Sequence, residues 1–147
     1  MTDSNIKLHI GLHVSDVAKS QQFYQDLFGQ APIKVKSDYA KFETDQVVLS
    51  LIHHPSQVKS GFGHMGLRYH TTAEVNQQYD RLQQLNYDLR KEDQVDCCYA
   101  LQDKFWIQDP DGHEWELYTF LEDVEKPSLK VEATQEATAC CAPSCCS

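Results

Sequence analysis

An α+β fold made of two successive βαβββ modules is predicted by three observations: an internal repeat, two amphipathic helices with recognisable ends, and three strand-like stretches after each helix. The repeat comes first, because self-similarity constrains architecture before local patterns are read. "HIGLHVSDVAKSQQFYQDL" from His9 aligns without gaps on "HMGLRYHTTAEVNQQYDRL" from His64, an offset of 55 residues. Seven of the 19 positions are identical: His9/His64, Gly11/Gly66, Leu12/Leu67, Ala18/Ala73, Gln22/Gln77, Tyr24/Tyr79 and Leu27/Leu82. Each copy reads as a strand running into a helix.

The first helix has Asp16 at its N-cap, Val17, Phe23, Tyr24, Leu27 and Phe28 on one side, and Gly29 where a left-handed C-terminal residue belongs. "PIKVKS", "YAKFET" and "VVLSLIHH" then read as strands. The second helix opens on Thr71 with Glu74 three residues later, the pattern of a capping box, followed by Val75, Tyr79, Leu82 and Leu85 at helical spacing. "YDLRKED", "YALQDKFWIQD" and "EWELYTF" complete the second set of strands, with turn signals at "SD", "TDQ" and "DPDG". The expected domain covers residues 1–121, with modules at about 6–55 and 62–121. From 122 to 147 there are no aromatic residues and few large apolar ones, so this stretch is expected to be a flexible tail.

Composition narrows the function classes. With 147 residues, 41% of them hydrophobic, the chain has material for one ordinary core. A net charge of −9 disfavours nucleic acid and anionic membrane, whose binding rests on Lys and Arg. No apolar run is long enough to span a bilayer, and "MTDSNIKLH" lacks the apolar core of an export signal. The expectation is a cytoplasmic protein with a small-molecule partner.

All six cysteines occur as adjacent pairs: Cys97–Cys98, Cys140–Cys141 and Cys145–Cys146. Sequence neighbours lie about 3.8 Å apart at Cα, closer than the usual 4.4 to 6.8 Å or so of a disulfide, and cytosolic thiols stay reduced. As two thiolates one residue apart, a pair can chelate a soft, thiophilic atom. A single pair is also explained by burial of small hydrophobes; three pairs out of three favour thiol chemistry. Adjacent residues of a regular strand point to opposite faces, so joint capture by Cys97 and Cys98 requires a loop, turn or bulge.

Matched strands of a repeat can present matched side chains to one centre, which makes His9 and His64 candidate metal ligands, although a matched histidine can also be a packing residue. His13 shares a strand face with His9, but its counterpart is Arg68, which is no ligand. His53, His54 and His70 have no matched partners. A carboxylate completes the set, and "DPDGHEWELY" offers Glu114 and Glu116 on one strand face, with Trp115 and Leu117 on the other. Alternation leaves both carboxylates open.

The ordered set H-x-x-L-x-V-x-D at His9 to Asp16, Phe23-Tyr24, "HMGL" at His64 and "DPDGHEWE" ending in Glu116 resembles the vicinal oxygen chelate superfamily of glyoxalases and extradiol dioxygenases, over roughly residues 6 to 121. The resemblance implies paired βαβββ modules whose curved mixed sheet cups a divalent metal held at His9, His64 and Glu116. Within that superfamily, the vicinal cysteines between the second helix and the DPDG turn are similar to those of the C–As lyases of the ArsI/CadI group. That likeness implies a non-haem Fe(II) enzyme using dioxygen to convert trivalent organoarsenicals to arsenite, with the arsenic held by Cys97 and Cys98. Two histidines and a carboxylate on one face leave metal positions open, as in Fe(II) oxygenases. Tyr99, Phe105 and Trp106 are candidates for an apolar wall around the substrate's carbon group, or for sheet core. Cys140, Cys141, Cys145 and Cys146 read as auxiliary thiols for scavenging or delivery. Two modules in one chain suffice for one site in a monomer, while the superfamily also shares sites across homodimers. The alternatives are another metal-dependent enzyme of the superfamily, a glyoxalase or dioxygenase, which leaves Cys97–Cys98 unexplained, and an arsenite- or cadmium-binding protein without turnover, which leaves His9, His64 and Glu116 unexplained.

Overall fold

The computed structural model describes residues 6–97 and 100–123, and the backbone alone for 93–97, 100, 101, 122 and 123. The order is β1 (Leu8–Val14), α1 (Val17–Phe28), β2 (Lys34–Lys36), β3 (Tyr39–Glu43), β4 (Val47–His53), a 3-10 turn (Pro55–Gln57), β5 (His64–Tyr69), α2 (Thr72–Gln84), β6 (Arg90–Cys97), β7 (Ala100–Gln108) and β8 (Glu114–Asp123). This is the expected βαβββ sequence twice over. Each module forms its own four-stranded mixed sheet, ordered β1-β4-β3-β2 and β5-β8-β7-β6. The last strand runs to Asp123, two residues past the expected edge of the domain. Cys140, Cys141, Cys145 and Cys146 lie outside the described residues.

Contacts divide the chain into two compact units. One runs through Phe62 and takes in Gln108–His113; the other joins Gly63–Ile107 to the chain from Glu114. The DPDG turn, expected inside the second module, therefore packs with the first unit.

In the first unit α1 starts where the Asp16 carboxylate accepts from the Lys19 amide at 3.0 Å and ends at Gly29, whose φ of 66° is left-handed. Between those signals Val17, Phe23, Tyr24 and Leu27 are buried against Leu12, Val14, Ala40, Phe42, Leu49 and Leu51. Side chains of this size each contribute roughly 1.5–3 kcal/mol when fully buried. Phe23 and Tyr24 meet edge to face at 5.0 Å, and Phe28 meets Phe42 at 5.8 Å. Strand alternation turns His9, Gly11 and His13 to the face away from this core.

The second unit repeats the scheme with a smaller core. Thr71 accepts from the Glu74 amide at 3.2 Å while Glu74 accepts from the Thr71 amide at 2.8 Å, so the capping box forms in full. Val75 and Leu82 bury against Phe105, Ile107, Trp115 and Leu117, and Tyr79 stacks edge-on to Phe105 at 5.4 Å. Leu85, read as part of the apolar stripe, is instead exposed beyond the last helical turn, and Asn86 supplies the positive φ of 65° there. Parallel pairing of β5 with β8 makes the first and last strands of the module neighbours. That pairing positions the candidate site.

Candidate metal and substrate site

On the second unit's sheet, β5 and β8 present His64 and Glu116 on one face. His64 Nε2 stands 3.1 Å from Glu116 Oε2, and the carboxylate is nearly buried. The strand register sets Glu114 opposite His64 and Glu116 opposite Gly66. The imidazole nevertheless meets Glu116 rather than its direct neighbour. Trp115 and Leu117 point to the helix side, where they are buried. Two donors about 3 Å apart suit adjacent positions around an ion with bonds near 2.1 Å, and imidazole plus carboxylate is a donor set that first-row divalent metals accept. The pair therefore fits the implied metal.

The first unit holds His9. Its Nε2 lies 3.2 Å from Ser50 Oγ, which is 2.9 Å from the Tyr39 hydroxyl. Ser50 stands opposite Gly11 in the β1–β4 ladder as Glu116 stands opposite Gly66 in β5–β8. The repeat thus matches His9 with His64 and the Ser50 hydroxyl with the Glu116 carboxylate. One half carries an anionic donor and the other a neutral one. Among the described residues, no three His, Cys, Asp or Glu side chains converge closely enough to hold a metal ion. The structure brings together His64 and Glu116, and presents His9 with Ser50.

The remaining histidines fall elsewhere. His13 and His54 are exposed with ring centres 5.2 Å apart, and His53 and His70 are exposed as well. His113 is buried, 2.7 Å from Asp109, which also accepts from the Tyr24 hydroxyl at 2.7 Å. These three residues belong to the packing of the first unit.

Of the aromatic residues read as substrate wall or sheet core, Phe105 lies in the core under α2 and Trp106 lies on the site face, its ring edge-on to His64 at 5.0 Å. Tyr99 is outside the described residues. Cys97 closes β6, paired in register with Ala100, and Cys98 is also outside the described residues. A bulge does occur in β6, between Glu92 and Val95, upstream of the cysteines.

Sequence reading missed Lys104, Glu92, Gln102 and Ser50. Lys104 is 1% exposed, with Nζ 3.9 Å from Glu92 Oε2 and 5.2 Å from the Trp106 ring centre. The alternation Gln102, Lys104, Trp106 along β7 was a signal that these side chains share a face.

Residues 8–117 match the family described as the glyoxalase/bleomycin resistance protein/dioxygenase superfamily. This chain belongs to that superfamily. Its fold is shared by lactoylglutathione lyase from Agrobacterium tumefaciens (20% identity, 78% of this chain and 92% of that one, TM-score 0.63) and by a superfamily protein from Alicyclobacillus acidocaldarius (16% identity, 83% and 96%, TM-score 0.66). Nearer in sequence, a superfamily relative from Bacillus sp. (strain MD1), named a trivalent organoarsenical cleaving enzyme, is 41% identical over 92% of this chain and 89% of its own length. One of the same name from Thermomonospora curvata is 32% identical over 93% and 89%. A cadmium-induced protein, CadI, from Mycobacterium bovis is 31% identical over 92% of each chain. No helix among the described residues is long and apolar enough to cross a membrane.

Proposed function

We propose that this protein is an Fe(II)-dependent, dioxygen-using C–As lyase that converts trivalent organoarsenicals to arsenite. The observation that carries the reading is the 41% identity, over 92% of the chain, to a trivalent organoarsenical cleaving enzyme. The convergence of His64 and Glu116 at 3.1 Å is what such a metal-dependent reaction needs from the second unit.

The assigned metal ligands are His9, His64 and Glu116. Bound Fe(II) supplies activation of dioxygen. Cys97 and Cys98 capture the substrate: two thiols displace the two hydroxyls of R–As(OH)2, forming two As–S bonds and releasing two waters. Anchoring arsenic on the chain replaces a chance encounter by an oriented one. Trp106 borders His64 and provides an apolar surface for the methyl or aryl group. A neutral arsenical meets no charge repulsion from a chain of net charge −9.

The deciding experiment loads the purified protein anaerobically with Fe(II) and supplies methylarsonous acid with and without oxygen. Arsenite should appear only with both iron and oxygen. Glu116→Ala should lower turnover by at least about 100-fold, as expected when a metal ligand is lost, and leave arsenic capture by the thiols intact. Cys97→Ser should act chiefly on substrate binding. Arsenical binding without any product, in wild type with iron and oxygen, would overturn the lyase reading in favour of sequestration.

A further inference from the structure

Beside His64 the second unit's sheet carries a buried polar group that the ligand set does not use. Alternation along β7 puts Gln102, Lys104 and Trp106 on one face, and the register sets Glu92 opposite Lys104 and Arg90 opposite Trp106. Lys104 is fully enclosed, yet its ammonium is 3.9 Å from Glu92 Oε2, beyond hydrogen-bond length. Among the described residues, three buried atoms of this patch have no hydrogen-bond partner: Glu92 Oε2, Gln102 Oε1 and Trp106 Nε1. Buried polar atoms are normally paired, and each orphan destabilises the fold. Three on one patch, beside a buried ammonium, mark a place built for something else.

We propose that Lys104, Glu92, Gln102 and Trp106 form a subsite for a small neutral molecule bearing several hydroxyl groups. Arg90, with Nε 3.6 Å from Glu92 Oε1 and its guanidinium over the Trp106 ring, joins Lys104 against the single Glu92 carboxylate, so the unpaired acceptors rather than net charge select the ligand. The unpaired atoms comprise two acceptors and a donor, with the Lys104 ammonium as a further donor. An ionised carboxylate only accepts and would leave Glu92 and Gln102 unsatisfied, whereas a hydroxyl both donates and accepts. Resting on the function proposed above, the ligands are arsenous acid, the product, and the dihydroxy form of the substrate before thiol exchange. Trp106 links the subsite to the candidate metal pair, because its ring contacts both Lys104 and His64.

Boric acid is the test molecule, being neutral, trigonal and trihydroxylic without arsenic's affinity for thiols. Its binding to the full-length, metal-free, reduced protein is followed by boron NMR and by tryptophan fluorescence. Saturable binding is expected, weakened about tenfold or more by Gln102→Met and by Lys104→Met, the effect of losing one strong hydrogen bond. Gln102→Met should melt no lower than wild type, since it removes a buried orphan; a purely structural Gln102 would melt lower. In the Fe(II)-loaded enzyme the same variant should raise KM for methylarsonous acid more than it lowers kcat. Should Lys104→Met fail to fold, Gln102→Met and Trp106→Phe decide the matter. Absence of boric acid binding, or binding indifferent to these changes, overturns the subsite even if arsenic is cleaved. Boric acid binding in a protein that cleaves no arsenical would overturn the lyase reading and leave the subsite standing.

Discussion

Gly66 stands opposite Glu116 where β5 pairs with β8. A Cβ placed there would lie 3.3 Å from the Glu116 carbonyl oxygen and 3.4 Å from Tyr118 Cε1, whereas at Gly11 the nearest atom is Ile52 Cδ1 at 3.8 Å. Glycine is thus needed only in the second copy, where β5 approaches the strand carrying Glu116. Gly66→Ala should cost about 1–3 kcal/mol through overpacking and lower metal affinity by shifting Glu116, whereas Gly11→Ala should do neither. Chemical denaturation and metal titration of the two variants check this. Other identities divide similarly: Leu27 and Leu82 are core, while Ala18, Ala73, Gln22 and Gln77 are exposed or nearly so and serve helix formation alone. Tyr24 and Tyr79 occupy the same repeat position with different partners, Asp109 and Phe105. Lys104 was illegible for the opposite reason, since a lysine on a strand reads as a surface residue and its burial depends on neighbours from β6 that only the register reveals.

The elements themselves were legible because their ends carry chemistry. Asp16 and the Thr71–Glu74 box satisfy backbone groups that a helix start leaves open, and Gly29 takes the left-handed conformation that ends α1. The exception is the end of α2, where Leu85 continues the apolar spacing but Asn86 adopts the left-handed conformation that stops the helix. Strand pairing was less legible, as the parallel neighbours β1/β4 and β5/β8 are distant in sequence; Ser50 at the Glu116-equivalent position is visible only once those ladders are known. The capping box yields a pH prediction. The Thr71 amide donating to Glu74 holds its carboxyl below the ordinary 4.5. A lowered folded value means that the ionised group stabilises α2 above pH 4.5 and that this support is lost as the pH falls through the folded value. Glu74→Gln should therefore narrow the gap to wild type as acid is added, measured as denaturation midpoints at neutral pH and near the lower end of the native range. Thr71→Ala should cost about 1 kcal/mol at neutral pH.

At the scale of the whole molecule, the repeat predicts two modules but not their division. The chain leaves the first unit after Phe62, returns to it for Gln108–His113, and leaves again at Glu114, so neither unit is one continuous segment. Asp109 explains the return. Its buried carboxylate accepts from the Tyr24 hydroxyl and the His113 ring at 2.7 Å, and from the amides of His113 and Asp111 at 2.8 and 3.0 Å. Asp111 in turn accepts from the Ser15 amide at 3.0 Å, just before α1. The turn therefore supplies acceptors to Tyr24 and to the chain just before α1. Asp109→Ala would take the carboxylate acceptor from a buried tyrosine hydroxyl and a buried imidazole, at a cost of about 3–5 kcal/mol. Asp109→Asn, which keeps one acceptor oxygen, should lose less. A fragment ending at Phe62 lacks the whole segment and should show little cooperative unfolding, whereas a chain ending at Asp123 should melt as sharply as the full length. Circular dichroism melts of these four proteins give the comparison. A fragment ending at Phe62 that unfolds cooperatively near the full-length midpoint would show that the module, rather than the interrupted unit, is the folding element.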